Sequence, residues 1–255
     1  MRRWDLLLRP EGRAVTKQRG LTMIEMLIAL TLSSLLILGV SQLYINNKRH
    51  YLYQQGQVET GDNGRLALLL LDQQLAKAGF RANPVAQKSL TVAFPALDAT
   101  NGCPAFSAGQ TIKLTTDTNL TGICFRYQGA VKGTDVDCLG NKIAAASNGT
   151  EVLTRISYVP DGSGTGNLTC SAQGQIAQSL VSGLTGFVWF AVPASTDSTQ
   201  AIRYAALFST TKTLTDGISS TVIDNWNTLS GQSLKDTTHV LQIVQGSVTL
   251  RNLMQ

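Results

Sequence analysis

Few residues in this chain have the types and spacing to do chemistry. Glu25 is the only charged side chain in the run LTMIEMLIALTLSSLLILGVSQLYI, residues 21–45. A carboxylate in such a run costs on the order of 2.5–3.5 kcal/mol at a bilayer centre and less near an interface, so it is expected to be held against a cation. Immediately upstream stands Lys17-Gln18-Arg19-Gly20. Four cysteines, Cys103, Cys124, Cys138 and Cys170, all follow the apolar run. An even count in a Ser/Thr-rich exported domain favours two disulfides, with three connectivities open. Nearest-in-order pairing, Cys103–Cys124 and Cys138–Cys170, suits local hairpins.

The remaining candidates read as structure. The two histidines, His50 and His239, lack a neighbouring Ser, Cys or Asp constellation and make no triad. They are remote from the cysteines in sequence and no C-x-x-C occurs, which argues against a metal site. Neither a G-x-x-x-x-G-K-[ST] nor a strand-linked G-x-G-x-x-G is present. Asp161-Gly-Ser-Gly-Thr-Gly-Asn167 has the look of a phosphate or Ca²⁺ loop, yet it lacks a bidentate Glu and a following helix, and reads as a hairpin tip. Asp135 and Asp137 are the only further carboxylates to weigh for Ca²⁺, and Asn148-Gly-Thr150 is a glycosylation sequon by pattern alone. No catalytic residue, cofactor or metal is expected.

Charge places the N-terminal end. The net charge is +5, but Arg2, Arg3, Arg9, Arg13, Lys17 and Arg19 against Asp5 and Glu11 supply +4 of it. A broad basic footprint for nucleic acid is therefore absent after residue 20. A basic tail before an apolar run is an orientation signal. At about 1.5 Å rise per residue, residues 21–45 span a hydrocarbon core of roughly 30 Å. A cleaved secretory signal would have a shorter run and a small-x-small site after it; here the run is long, is broken near its start by Glu25, and ends in Gln42–Arg49 with no clear A-x-A site. Thr22-x-x-Glu25 also fits a capping box, with an acid in the first turn.

Helical character continues beyond residue 45, with Tyr44, Tyr51 and Tyr53 in a polar stretch. Gly56, Gly61 and Gly64 predict a bend or short break. Leu68, Leu71, Leu75 and Ala78 then form one stripe, widened by Leu66, Leu69 and Leu70. Gly79 is expected to end the helix, with Pro84 shortly after. A face this apolar needs a sheet to cover it. Period-two runs predict strands at Ser89–Phe94, Gln110–Thr115, Ile123–Gln128, Glu151–Val159, Gly186–Val192, Ala201–Phe208 and His239–Leu250, each with one face buried. Joints lie at Asp161–Asn167 and Ser195–Gln200. Ser220–Thr228 fits a short helix. The fold class is α+β: a long N-terminal helix, membrane half plus amphipathic half, packed on an antiparallel β-sheet domain.

The bases, Gly20, and a run with Glu25 at its fifth position resemble the class III signal of type IV prepilins. That resemblance implies cleavage by a membrane aspartyl peptidase between Gly20 and Leu21, N-methylation of Leu21, and a Glu25 that pairs with a neighbouring subunit's N-terminus and sets axial register. Leu stands where Phe is commonest, and twenty residues make a long leader, so a start codon further in is an open reading. Asn63-Gly64-Arg65-Leu66-Ala67-Leu68 with Leu71 and Ala78-Gly79-Phe80 resembles PilW-type minor pilins. So, patchily, do Cys124-Phe125-Arg126-Tyr127, Leu168-Thr169-Cys170 and Leu180–Phe187, where Ser182 replaces the usual Asp. The implied organisation is a leader at 1–20, an assembly helix at 21–45, its amphipathic continuation at 46–80, and a periplasmic β-rich domain at 81–255. The implied role is a minor pilin of the type IV pilus, in its priming or tip complex. Its partners would be other pilins, the prepilin peptidase, the inner membrane and a tip adhesin. A J-type minor pseudopilin of type II secretion shares the N-terminal chemistry. A DNA-uptake pilin would need a basic patch on the folded domain, and an exported enzyme on an uncleaved anchor is the remaining alternative.

Overall fold

The computed structural model describes residues 20–117, 120–162, 164–192, 199–213, 220–236 and 238–253. The predicted leader up to Arg19 and most of the Ser195–Gln200 joint lie outside these. The chain divides into two compact units, Met1–Lys48 and Arg49–Gln255.

Helix α1 runs from Met23 to Leu75 without interruption. In the first unit its side chains are exposed, from Met23 and Leu27 to Leu38 and Leu43. The hydroxyls of Thr31, Ser33 and Ser34 bond back to the carbonyls of Ile28, Ala29 and Thr31, so these three side chains are satisfied within the helix.

The break predicted at Gly56, Gly61 and Gly64 is not there. These glycines belong to the side of α1 that meets the sheet, where Gly56, Thr60, Gly64, Ala67, Leu71, Gln74 and Leu75 are buried. A Cβ at Gly56 would lie 2.6 Å from Thr210 Cγ2, and one at Gly64 2.6 Å from Val244 Cγ2. Close approach of backbone to strand outweighs the intrinsic helix cost of glycine, about 1 kcal/mol each. Leu71 and Leu75 are fully buried, worth roughly 1.5–3 kcal/mol apiece. Leu66 and Leu69, expected to widen the stripe, face solvent instead. Beyond Leu75 the chain turns through Gly79 at φ 72°, and Asn252 Nδ2 donates to the carbonyls of Ala76 and Ala78 at 3.0 and 3.1 Å.

The sheet has seven antiparallel strands in the order β1-β2-β3-β4-β5-β6-β7, a plain meander. They are β1 Ile112–Asp117, β2 Leu120–Gln128, β3 Glu151–Pro160, β4 Gly166–Ala172, β5 Gln178–Val192, β6 Ala201–Ser209 and β7 Leu241–Thr249. The expected strand at Ser89–Phe94 is instead a short helix, α2, Leu90–Ala93, because Ser89 Oγ caps it by accepting from Val92 N–H at 3.3 Å. β4 was not among the period-two runs, and β5 starts at Gln178 rather than Gly186. The predicted short helix is α3, Thr221–Ser230. His239 precedes β7 and does not open it.

One face of the sheet packs with α1 in a core that includes Leu71, Leu75, Phe125, Tyr127, Val152, Ile156, Phe187, Tyr204 and Phe208. The other face is covered too, which corrects the expectation of one-sided burial. Over β2 and β3, Cys103 and Phe106 pack on Cys124 and Leu153. Over β5 to β7, α3 seats Ile223 and Trp226 on Ala205, Leu207 and Leu241. Trp226 fits because Gly186 has no side chain; a Cβ there would lie 2.5 Å from the indole.

Two disulfides tie these layers. Cys103–Cys124 fixes the 95–110 loop to β2, and Cys138–Cys170 fixes the β2–β3 loop to β4, with sequence separations of 21 and 32.

Candidate functional site

The N-terminal turn of α1 carries the one acid of the apolar run. Glu25 lies in the first turn, and its N–H reaches Thr22 Oγ1 at 3.4 Å, a long bond that supplies one half of the predicted capping box. Gly20, Leu21 and Glu25 are all exposed. Among the described residues one helix, α1, is long and apolar enough to cross a membrane, and none of its most apolar stretch is buried. Among the described residues nothing covers this apolar surface, and such patches mark interaction or membrane sites.

Residues 15–41 match the prokaryotic N-terminal methylation motif. The matched stretch contains Gly20, Leu21 and Glu25. No curated protein matches the chain. Among solved structures, a type IV-like pilin from Thermus thermophilus aligns over 76% of this chain and 97% of its own, with 12% identity and a TM-score of 0.44.

The other sequence candidates resolve into local structure. His50 is exposed on α1. His239 does have an acid beside it, which the sequence reading missed: its Nδ1 lies 2.8 Å from Asp236 Oδ2. Asp236 Oδ1 also accepts from the Thr238 N–H and hydroxyl, at 2.8 and 3.0 Å. The D-x-T-H spacing was the available signal. Burial pushes the Asp236 carboxyl up, but the Thr238 backbone N–H, His239 and the Thr238 hydroxyl outweigh it and hold it below the ordinary value. This is a turn-forming aspartate before β7, with His239 as one of its donors.

Asp137 Oδ1 accepts from the N–H groups of Leu139 and Asn141, and Asp135 Oδ2 from Ala130 N–H. Both carboxylates are thus used to shape the β2–β3 loop. The Asp161 loop closes as a hairpin tip, with Asp161 N–H to Thr165 O at 2.9 Å and Thr165 Oγ1 to Asp161 Oδ2 at 2.8 Å. Among the described residues no group of three or more His, Cys, Asp or Glu is gathered as for a metal ion.

Arg126, singled out in Cys124–Tyr127, is an internal clamp. Its side chain is 0% exposed and its Nη1 lies 3.2 Å from Glu151 Oε1. The guanidinium also donates to the carbonyls of Pro95, Ser107 and Gln110, and stands 4.9 Å from the Phe106 ring centroid and 5.5 Å from that of Phe94. It converts the 95–110 segment into an ordered cover for β2 and β3.

Proposed function

We propose that this chain is a pilin-like assembly protein, a minor pilin of the PilW type in the priming or tip complex of a type IV pilus. It is made as a precursor, cut between Gly20 and Leu21, methylated on Leu21, and held in the inner membrane by residues 21–45 with the β domain in the periplasm. It then joins other pilins through its N-terminal helix. The observation that carries the reading is the methylation motif at residues 15–41, coincident with a continuous helix whose exposed apolar run, through residue 45, holds Glu25 as its only acid.

The chemistry follows from charge. Cleavage creates an α-ammonium on Leu21, a few residues from the Glu25 carboxylate. A carboxylate in hydrocarbon is satisfied when an ammonium of an adjoining subunit sits against it, and a desolvated pair of this kind is met at one stagger only. Glu25 thereby sets axial register, while the Leu, Ile and Met side chains around it supply non-directional contact. The β domain contributes a folded body stapled by two disulfides, as an oxidising compartment permits.

The test is the mature N-terminus by mass spectrometry of the protein from its native host. The expected terminus is N-methylated Leu21. An intact leader, or a terminus beyond residue 45, overturns the reading.

A further inference from the structure

A small cavity opens in the second unit just past the end of α1. Lys77 and Phe80 after the helix, Tyr127 of β2, Asp135 of the β2–β3 loop and Asn252 of the C-terminal turn line a space of about 340 Å³. Its polar side chains are held from behind. Lys77 Nζ donates to Gln74 Oε1 at 3.1 Å and to Val136 O at 3.2 Å. Asp135 Oδ2 accepts from Ala130 N–H at 2.8 Å. Asn252 Nδ2 donates to the carbonyls of Ala76 and Ala78. The Cys138–Cys170 bridge pins the loop just beyond Asp135.

Each of these groups keeps one function unspent. An ammonium has three N–H donors, a carboxylate two acceptor oxygens, and a carboxamide one oxygen besides its two N–H donors. The third N–H of Lys77, Asp135 Oδ1 and Asn252 Oδ1 are therefore left over, and among the described residues none of the three is bonded within the protein. Nor does an ion pair join Lys77 to Asp135 among the described residues. Burial lowers the Lys77 ammonium from its ordinary value, against the opposing pull of Asp135 and Asp137. Asp137 itself is spent on the N–H groups of Leu139 and Asn141. The exposed Phe80 and the buried Tyr127 add aromatic surface to the same space, and the Lys77 ammonium stands 5.5 Å from the Tyr127 ring centroid.

We propose that this cavity binds a free α-amino acid with an apolar side chain. Charge selects the ligand. Lys77 and Asp135 bring opposite charges to one space without neutralising each other, so a bare anion meets Lys77 and is opposed by Asp135, and a bare cation the reverse. A zwitterion gives its carboxylate to the spare N–H of Lys77 and its ammonium to Asp135 Oδ1, both charge-assisted bonds. A second N–H of the ligand ammonium goes to Asn252 Oδ1. A neutral polyol fills the same three positions but compensates two partly desolvated charges less well. The aromatic wall takes the side chain, the usual division between apolar lining and a few placed polar groups. Because the protein's groups are already fixed by their other bonds, binding orders little besides the ligand. The inference concerns the second unit alone and holds whether or not the leader is cut.

The experiment titrates L-leucine into the full chain, held in a polyoxyethylene detergent that carries no sugar or charge, and reads binding by ligand-observed NMR. Isoamylamine and isocaproate are leucine without its carboxylate and without its ammonium. L-Leucine is expected to bind, and each analogue at least about tenfold more weakly. Asp135→Asn keeps an acceptor for Ala130 N–H and loses the charge; it should weaken leucine and isoamylamine and spare isocaproate. Lys77→Gln should weaken leucine and isocaproate and spare isoamylamine. Both variants are expected to keep the parent's melting temperature; where one does not fold, the analogue series on the parent chain decides. No binding of leucine, an analogue that binds as tightly, methyl glucopyranoside binding more tightly than leucine, or leucine affinity unchanged in both variants each overturns the amino-acid site.

Discussion

Gly64 of α1 lies against Val244 of β7 so closely that a methyl group on Gly64 would stand 2.6 Å from Val244 Cγ2. Val244 is β-branched and has little freedom to rotate away. In an exposed helix Gly→Ala gains about 1 kcal/mol, but overpacking of this kind costs about 1–3 kcal/mol. Gly64→Ala is therefore expected to destabilise the domain by about 1 kcal/mol, whereas Gly39→Ala, with nothing within 4 Å, should not. Chemical denaturation of the detergent-solubilised protein measures both. A more stable Gly64→Ala variant would show that Val244 yields.

That pair also explains what the sequence could reveal. Gly56, Gly61 and Gly64 read locally as helix breakers, and only the facing residues Thr210, Gln242 and Val244 show them to be contact positions. The antiparallel sheet was legible from period two in β2, β3 and β6. β4 was not, because Asp161–Asn167 reads as a turn although Gly166 and Asn167 already pair with Pro160 and Val159. Burial of Leu153 and Cys124 on the second face was hidden as well, since their cover comes from Cys103 and Phe106, far away in sequence. Glu25 was legible because a lone acid in an apolar run violates the pattern around it.

Arg126 presents a sharper test. Truncating it leaves the carbonyls of Pro95, Ser107 and Gln110 without their donor and Glu151 without its ion-pair partner. Glu151 keeps a third of its side chain exposed, so the loss is that of a buried, several-fold hydrogen-bonded side chain, on the order of 2–4 kcal/mol. Arg126→Ala should lose stability on that scale, and Arg126→Lys most of it, because an ammonium cannot reproduce the planar fork. Protease cleavage within residues 95–110 should accelerate in both. Unchanged protection of that segment would mean that the Cys103–Cys124 bridge alone holds it.

The disulfides close loops of 21 and 32 residues, which the chain-entropy model values at roughly 3–4 kcal/mol each. Cys138→Ser/Cys170→Ser and Cys103→Ser/Cys124→Ser should each lower the denaturation midpoint, and adding reductant to either double variant should lower it again. A double variant insensitive to reductant would indicate that the remaining pair contributes nothing.

Tyrosine burial sets the alkaline limit. Tyr204 and Tyr127 are nearly inaccessible, and burial pushes each phenol up to about 12. The unfolded chain ionises near 10, so it releases protons first, and stability falls as pH rises from about 10 to about 12. Below pH 10 both states are protonated and the contribution is constant. Tyr204→Phe removes a 3.4 Å bond to Leu68 O and should flatten part of that decline. An equally steep loss in Tyr204→Phe and Tyr127→Phe would assign the alkaline transition elsewhere.

Under the proposed function, a Glu25 variant should separate insertion from assembly. Replacing it with Ala removes an acid whose presence in the apolar run is unfavourable, so Glu25→Ala should insert at least as well as the parent. The variant leaves Gly20 and Leu21 in place, and cleavage is expected to persist. On the proposed reading it lacks the carboxylate that pairs with an incoming α-ammonium, so incorporation into fibres should drop steeply while the membrane-bound, processed pool rises. Glu25→Gln should behave the same way, because an amide keeps the hydrogen-bonding shape and loses the charge. Fractionation of cells into membrane and sheared-fibre pools reads this directly. Parent-level Glu25→Gln in the fibre pool would show that the side chain acts as a helix cap and that charge pairing plays no part in register.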